Sequence, residues 1–294
     1  GQLEQAENNV RNILYLIDRF GYMPNGNRTF FLKRSQPPYA ALMVDDVYRI
    51  TGDLSFLKNA YVMLKKESEF WMTKRVSENG PNHFDSDEDQ MACVAFYRDC
   101  VAGRVKIDAS RSAEEAGRHY FAEAESGWDF NPRFDGYCAD YNPIDLNSNL
   151  YLYEKLFSRY EILLGLGDGK TWEGKANARA EKINARLWDS ATCEYRDYNY
   201  KTGKLSETLS AASFQPYFAG IASEQQRGGL LKLLYSLEGE WGIYATEKTD
   251  KKYQWAYPNV WAPCQYIAAE SLHRFGYEKE SARIAQKYTA LIEK

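Results

Sequence analysis

The sequence predicts an all-α protein built from αα-hairpins, and three observations lead there. Apolar residues recur with helical spacing through most of the 294-residue chain. A unit of apolar helix, short glycine-containing turn and charged amphipathic helix appears three times. Turn-forming and aromatic-rich stretches fall between these units rather than inside them.

The elements follow in order. In "NNVRNILYLIDRF", Val10, Ile13, Leu14, Leu16 and Ile17 fall on one broad face, the spacing of a buried helix. The three hairpins are "ALMVDDVYRITGDLSFLKNAYVMLKKESEFWM", "LYEKLFSRYEILLGLGDGKTWEGKANARAEKINARLW" and "PCQYIAAESLHRFGYEKESARIAQKYTALIEK". Gly52, Gly167 and Gly276 stand where the first helix of each pair should end in a left-handed cap. Inner helices side by side with outer helices behind them form a solenoid or an α/α toroid. One segment breaks the rule: "YRDYNYKTGKLSE" alternates tyrosines about Lys201-Thr202-Gly203-Lys204 and predicts a small β-hairpin near 194–207. "ENGPNHFDSDEDQ" reads as an acidic solvated loop, because its carboxylates match no EF-hand spacing.

Composition narrows the function. A net charge of −4 argues against a nucleic-acid surface, which needs clustered Lys and Arg. No apolar run approaches the ~20 residues of a membrane span. The opening residues lack the charged-then-apolar pattern of a secretory signal. Cys93, Cys100, Cys138, Cys193 and Cys264 are widely spaced and odd in number, so buried free thiols are expected rather than a zinc site. Only three histidines occur, which disfavours a His-based nucleophile system. Aromatics make up 15% of the chain, with 23 Tyr and 7 Trp. Abundant rings and carboxylates suit a carbohydrate site, although rings also fill cores.

Three long inter-helix segments hold the unusual residues: 21–38, 125–147 and 239–263. They fall at corresponding points of the repeat, so they are expected to converge at one mouth of a toroid. In the second, "AESGWDFNPRF" cannot be helix interior, since Gly, Asn and Pro interrupt regular backbone. It reads as a loop past a helix end that sets carboxylates beside a large ring.

These loops carry a family resemblance. "GYMPNGNRTFFLKRSQPP" is similar to the trehalase-family segment GxxPNGxRxYYxxRSQPP, and "AESGWDF" resembles that family's catalytic-acid loop. "PIDLNSNLYLYEKLF" resembles the helix that follows, and "YQWAYPNVWAPCQYIAAESL" the signature QWDxPxGWxP. The matches occur in family order. The resemblance implies an (α/α)6 barrel and an inverting glycoside hydrolase acting on an α-glucosidic bond in trehalose or a related small saccharide. Inversion requires a protonated carboxyl as donor and a carboxylate that activates water, ~6.5–9.5 Å apart. By resemblance Asp129 takes the acid position, with Trp128 and Gly127 beside it. Asn25, Arg34, Ser35 and Gln36 match positions that hold sugar hydroxyls, and Trp255 and Trp261 match the second signature as walls or stacking platforms. Asp145 and Asn147 read instead as caps or braces of the helix near Leu146. No metal or organic cofactor is implied.

The chain also departs from the family pattern. The signature's Asp is Ala256 here and its Gly is Val260. The Arg-Pro-Glu expected before the acid loop is not evident; Arg98, Arg104 and Arg111 are alternative substitutes. The family's first Trp-Asp signature and its catalytic-base Glu have no match. About nine or ten helical segments are legible, where a closed six-hairpin barrel needs twelve. Residues 1–294 are therefore expected to be a single catalytic domain lacking the first and last helices of the family barrel. Glu125 and Glu247 are the only loop carboxylates to suggest themselves as base. A sugar-binding or helical-repeat interaction module without turnover is the alternative reading.

Overall fold

A computed structural model describes residues 2–293. Among them lie eleven α-helices: α1 (Leu3–Phe20), α2 (Ala40–Thr51), α3 (Leu54–Lys74), α4 (Gln90–Phe96), α5 (Ala113–Ser126), α6 (Ile144–Leu163), α7 (Lys170–Arg186), α8 (Gln215–Ala219), α9 (Arg227–Leu237), α10 (Ala262–Arg274) and α11 (Glu278–Ile292). The three sequence hairpins are α2/α3, α6/α7 and α10/α11. Helices α2, α6, α8 and α10 pack in succession as an inner row, and α7 and α11 back their partners. This is the α/α toroid architecture expected. The helix number exceeds the sequence estimate because α4 and α8 are too short to show a period.

The inner helices are the buried ones. Helix α6 hides Leu146, Leu150, Tyr153, Phe157 and Tyr160, whereas α7 hides only Ala176 and Ile183. A core of Leu230, Leu233, Leu234, Phe214, Tyr217 and Ala268 fills the α8–α10 end. Another, with Ile17, Val44, Leu57, Leu64 and Phe157, fills the α1–α3 end. At about 25 cal/mol per Å² of apolar surface removed from water, such clusters dominate the stability of the array.

Caps explain the helix limits. Gly52 ends α2 at φ 66°, with its amide on the Tyr48 carbonyl, and the Asp53 carboxylate then opens α3 by accepting from the amides of Ser55 and Phe56. Gly276, at φ 76°, follows α10. The expectation for Gly167 is corrected: the left-handed residues in "GLGDG" are Gly165 and Gly169.

The hairpin predicted near 194–207 is present, with modified partners. Seven two-residue strands occur among the described residues: β1 (Tyr141–Asn142), β2 (Trp188–Asp189), β3 (Glu194–Tyr195), β4 (Tyr198–Asn199), β5 (Lys204–Leu205), β6 (Glu238–Gly239) and β7 (Gly242–Ile243). Strands β4 and β5 pair antiparallel about the expected turn, β1 joins β4, and β3 turns away to pair with β2. All five cysteines are free thiols, but Cys100 and Cys193 are exposed, so burial accounts for only three. No described helix is long and apolar enough to cross a membrane.

Candidate active site

The loop that carries Asp129 begins where α5 ends. Gly127 caps that helix in the left-handed conformation (φ 74°), which a β-carbon would disfavour. The chain then runs through Trp128 and Asp129 to Phe130, itself at φ 56°. A bulky residue at positive φ is a strained outlier, so neighbours must hold it there. Two do. The Phe130 amide donates to Glu123 Oε2 at 3.1 Å, and its carbonyl accepts from the Trp255 amide at 3.1 Å. Ser126 Oγ accepts the Trp128 amide at 3.1 Å, and Asn131 Nδ2 donates to the Trp128 carbonyl at 2.6 Å. The "ESGWDFN" string thus folds as a pinned turn.

Asp129 is half-buried, and burial raises its pKa above the ordinary value; its own backbone amide and the Arg34 and Arg104 guanidiniums partly oppose that rise. Of Arg98, Arg104 and Arg111, Arg104 is the one whose charge acts on Asp129, and it lies 4.9 Å above the Phe130 ring. Arg98 pairs with Asp99 in solvent, and Arg111 stacks 3.9 Å from the Tyr137 ring.

The first loop is clamped against α5. Asn25 and Arg34 pair backbone to backbone, Asn25 Nδ2 donates to the Ala124 carbonyl at 3.0 Å, and Gln36 Nε2 donates to the Asn25 carbonyl at 2.7 Å. Arg34 is buried and, among the described residues, has no carboxylate partner; it donates to Asn25 Oδ1 and to the Phe30 carbonyl and lies between the Phe31 and Phe121 rings. Ser35 is fully buried, and both its amide and its hydroxyl donate to Glu125 Oε1.

Glu125 is no free base. Its carboxylate takes two guanidinium nitrogens of Arg75 and the amides of Ser35 and Asp85, all at 2.7–3.2 Å, in full burial. Glu247 likewise accepts the Leu209 amide at 2.7 Å. Both carboxylates serve the frame.

The third loop supplies rings. Trp255 stacks on Trp261 with centroids 4.3 Å apart and planes at 11°, and meets Trp128 at 4.7 Å. A cavity of about 400 Å³ opens here, with Gln36, Gly127, Trp128 and Trp255 in its walls, joined by Asp145 and Glu67. Loops 21–38, 125–147 and 239–263 therefore meet at one concave site, of the size and largely apolar character that suit a small ligand. Asn25, Arg34, Ser35, Asp129 and Trp261 are not among the residues of that wall: Asp129 directly follows its Trp128 in the chain, and Trp261 backs its Trp255. Ala256 is fully buried, so the methyl group that replaces the signature Asp packs inward.

Several residues at or behind this cavity escaped the sequence reading. Arg133 is fully buried between Asp145 (2.9 and 3.0 Å) and Asp197 (2.8 and 3.0 Å) and lies 4.4 Å from the Trp128 ring. Asp197 also accepts the first amide of α6, from Ile144, at 2.9 Å. Asp145 therefore pairs chiefly with Arg133 while accepting from Leu146, and Asn147 braces the Asn82 segment at both ends of its amide. Glu67 is fully buried, accepts Tyr153 Oη at 2.7 Å, and is raised to about 7 by desolvation. Among the described residues no cluster of three or more His, Cys, Asp or Glu could hold a metal ion.

The trehalase family model matches residues 1–294. A putative periplasmic trehalase of Salmonella typhi is 30% identical over 317 residues, covering all of this chain and 55% of that protein. A periplasmic trehalase of Xanthomonas oryzae pv. oryzae is 31% identical with the same coverage. The chain thus spans about half the length of the curated relatives it matches. Among solved structures, neutral trehalase from Saccharomyces cerevisiae superposes with a TM-score of 0.83 at 26% identity, over 96% of this chain and 60% of that one. A mannosylglycerate hydrolase from Thermus thermophilus, 16% identical with a TM-score of 0.62 over 88% of this chain and 69% of that one, shares the fold.

Proposed function

The chain belongs to the trehalase family, and from that premise we propose that it carries the proton-donor half of an inverting glycoside hydrolase site. The substrate is trehalose or a related small α-glucoside, and residues 1–294 act as one catalytic domain. The observation that carries the reading is the meeting of three loops at one cavity, with Trp128 and Trp255 in its wall and Asp129 beside them.

Asp129 is the general acid. Burial beside Trp128 favours its neutral form, which must give its proton to the leaving glycosidic oxygen. Trp128 and Trp255 offer apolar faces to the C–H surface of a pyranose. Gln36, in the cavity wall, is the first-loop residue placed to meet a sugar hydroxyl, while Asn25, Arg34 and Ser35 hold that loop against α5 behind it. The water-activating carboxylate is assigned to neither Glu125 nor Glu247, since both are bound within the frame. The same engagement favours, as a second reading, a sugar site that binds without turnover.

The test incubates the protein with a panel of α-linked disaccharides that includes trehalose and follows the products by proton NMR. From trehalose an inverting enzyme releases β- and α-glucose in equal amounts before mutarotation, because only the attacked carbon inverts, and that ratio supports an inverting α-glucosidase. Saturable sugar binding with no product assigns the binding-only reading, and retention of configuration would overturn the proposed mechanism.

A further inference from the structure

A second carboxylate lies directly behind the acid loop. Glu123 is fully buried in α5, two residues before Glu125, yet among the described residues no cation lies within hydrogen-bonding range of it. Its Oε2 accepts the amide of Phe130, and the nearby Asn131 amide also favours its charged form. Among the described residues its Oε1 has no hydrogen-bond partner. Glu125, in the same helix, takes the opposite solution and is ringed by Arg75 and backbone amides. Burying a polar oxygen without a partner is costly, and the cost persists only where something is gained. Here the gain is local: the strained residue whose amide Glu123 holds is Phe130, and its φ of 56° is one that a bulky residue does not adopt unaided.

We propose that Glu123 is a positioning residue for Asp129: by holding the Phe130 amide it keeps the strained turn that fixes where the Asp129 carboxyl sits. The Trp255 amide grips the same residue from the other side, through the Phe130 carbonyl. Asp129 is thus the residue immediately before a doubly held pivot. Its surroundings favour the neutral form of Glu123. Burial and the Asp129 charge raise its pKa well above the ordinary value, against the Asn131 and Phe130 amides and the more distant Arg111 guanidinium. The other titratable groups it faces are Tyr120, Tyr253 and Cys138, all raised by burial themselves. A neutral neighbour lets Asp129 load and release its proton without a fixed charge behind it.

For its catalytic consequence the inference rests on the reading of Asp129 as proton donor, so its test has a readout that needs no turnover. The carboxyl carbon of Asp129, assigned by its absence in Asp129→Asn, is titrated by carbon-13 NMR in the wild type, Glu123→Leu and Glu123→Gln. Leucine removes the acceptor, lets the turn relax into solvent, and is expected to lower the Asp129 midpoint. Glutamine keeps a neutral oxygen acceptor and is expected to leave it near the wild-type value, which also serves should the leucine variant fail to fold. On substrate, Glu123→Leu should lose about tenfold to a hundredfold in kcat with little change in KM, the scale of a small misplacement of a catalytic group, and glutamine should recover most of it. An unchanged Asp129 midpoint in a folded Glu123→Leu protein would overturn the proposal. So would a glutamine variant that shifts the midpoint as far as leucine, because charge rather than the hydrogen bond would then be the agent. A wild type that titrates as expected but hydrolyses none of the disaccharides would instead refute the hydrolase reading alone.

Discussion

The Trp255 amide donates to the Phe130 carbonyl at 3.1 Å, so the third inter-helix loop is tied to the acid loop through the residue next to Asp129. Segments far apart in the sequence are thereby locked at one wall. Trp255 contributes through both its backbone, which fixes the turn, and its ring, which stacks between Trp128 and Trp261.

Trp255→Ala keeps the amide and removes the ring. Aromatic contact is worth about 0.5–1.5 kcal/mol beyond area burial, and the lost apolar wall adds to it. The Kd for trehalose should rise about tenfold or more by isothermal titration, while Asp129→Asn leaves it close to wild type. Equal affinity in the alanine variant would remove Trp255 from the site.

The alkaline limb of the pH–rate profile should report Asp129. A general acid must be protonated, so activity falls as pH rises through its raised pKa. Arg104 lowers that pKa through its charge. Arg104→Gln should therefore move the limb to higher pH. A limb that stays in place, or moves down, would contradict the placement of Arg104 beside the acid.

Glu67 offers a stability test. Its pKa is about 7 in the folded protein against an ordinary 4.5, because it is fully buried with only the Tyr153 hydroxyl and the Met23 amide for company. The raised value means that the folded state holds the proton more tightly. The stabilising contribution is thus complete below pH 4.5 and lost as pH rises through 7, a swing of about 3 kcal/mol. Glu67→Gln should abolish that loss, so urea unfolding should find the variant more stable than wild type at about pH 8. The difference should shrink on acidification to about pH 5.

Arg133 holds two buried carboxylates and lies against the face of Trp128. Arg133→Met leaves Asp145 and Asp197 buried without a counter-charge and should cost about 3–5 kcal/mol in urea unfolding. Arg133→Lys should recover little, since a single ammonium cannot serve two bidentate carboxylates at once.

What was legible in the sequence follows from range. Hairpins α2/α3, α6/α7 and α10/α11 announce themselves because long amphipathic helices repeat one face many times. Helices α4 and α8, with seven and five residues, do not. Gly52 is an unambiguous cap, but "GLGDG" offers three glycines and nothing local says which turn left-handed. The loops were identifiable because turn residues and rings cluster in them. Their internal wiring was not: Ser35 meets Glu125 across 90 residues and Arg133 meets Asp197 across 64, pairings that only the folded array reveals. The role of Glu123 was hidden for a related reason, since nothing in "FAEAES" says that one Glu is paired and its neighbour is not.

The most direct test of the account compares initial rates of glucose release from trehalose by the wild type and by Asp129→Asn, at matched sugar occupancy. The account predicts that the amide, which cannot donate a proton to the leaving oxygen, lowers kcat by about a hundredfold to ten-thousandfold with KM nearly unchanged. A variant that retains wild-type kcat would contradict it, and Asp129 would then be a structural carboxylate of the turn and not the acid of the site.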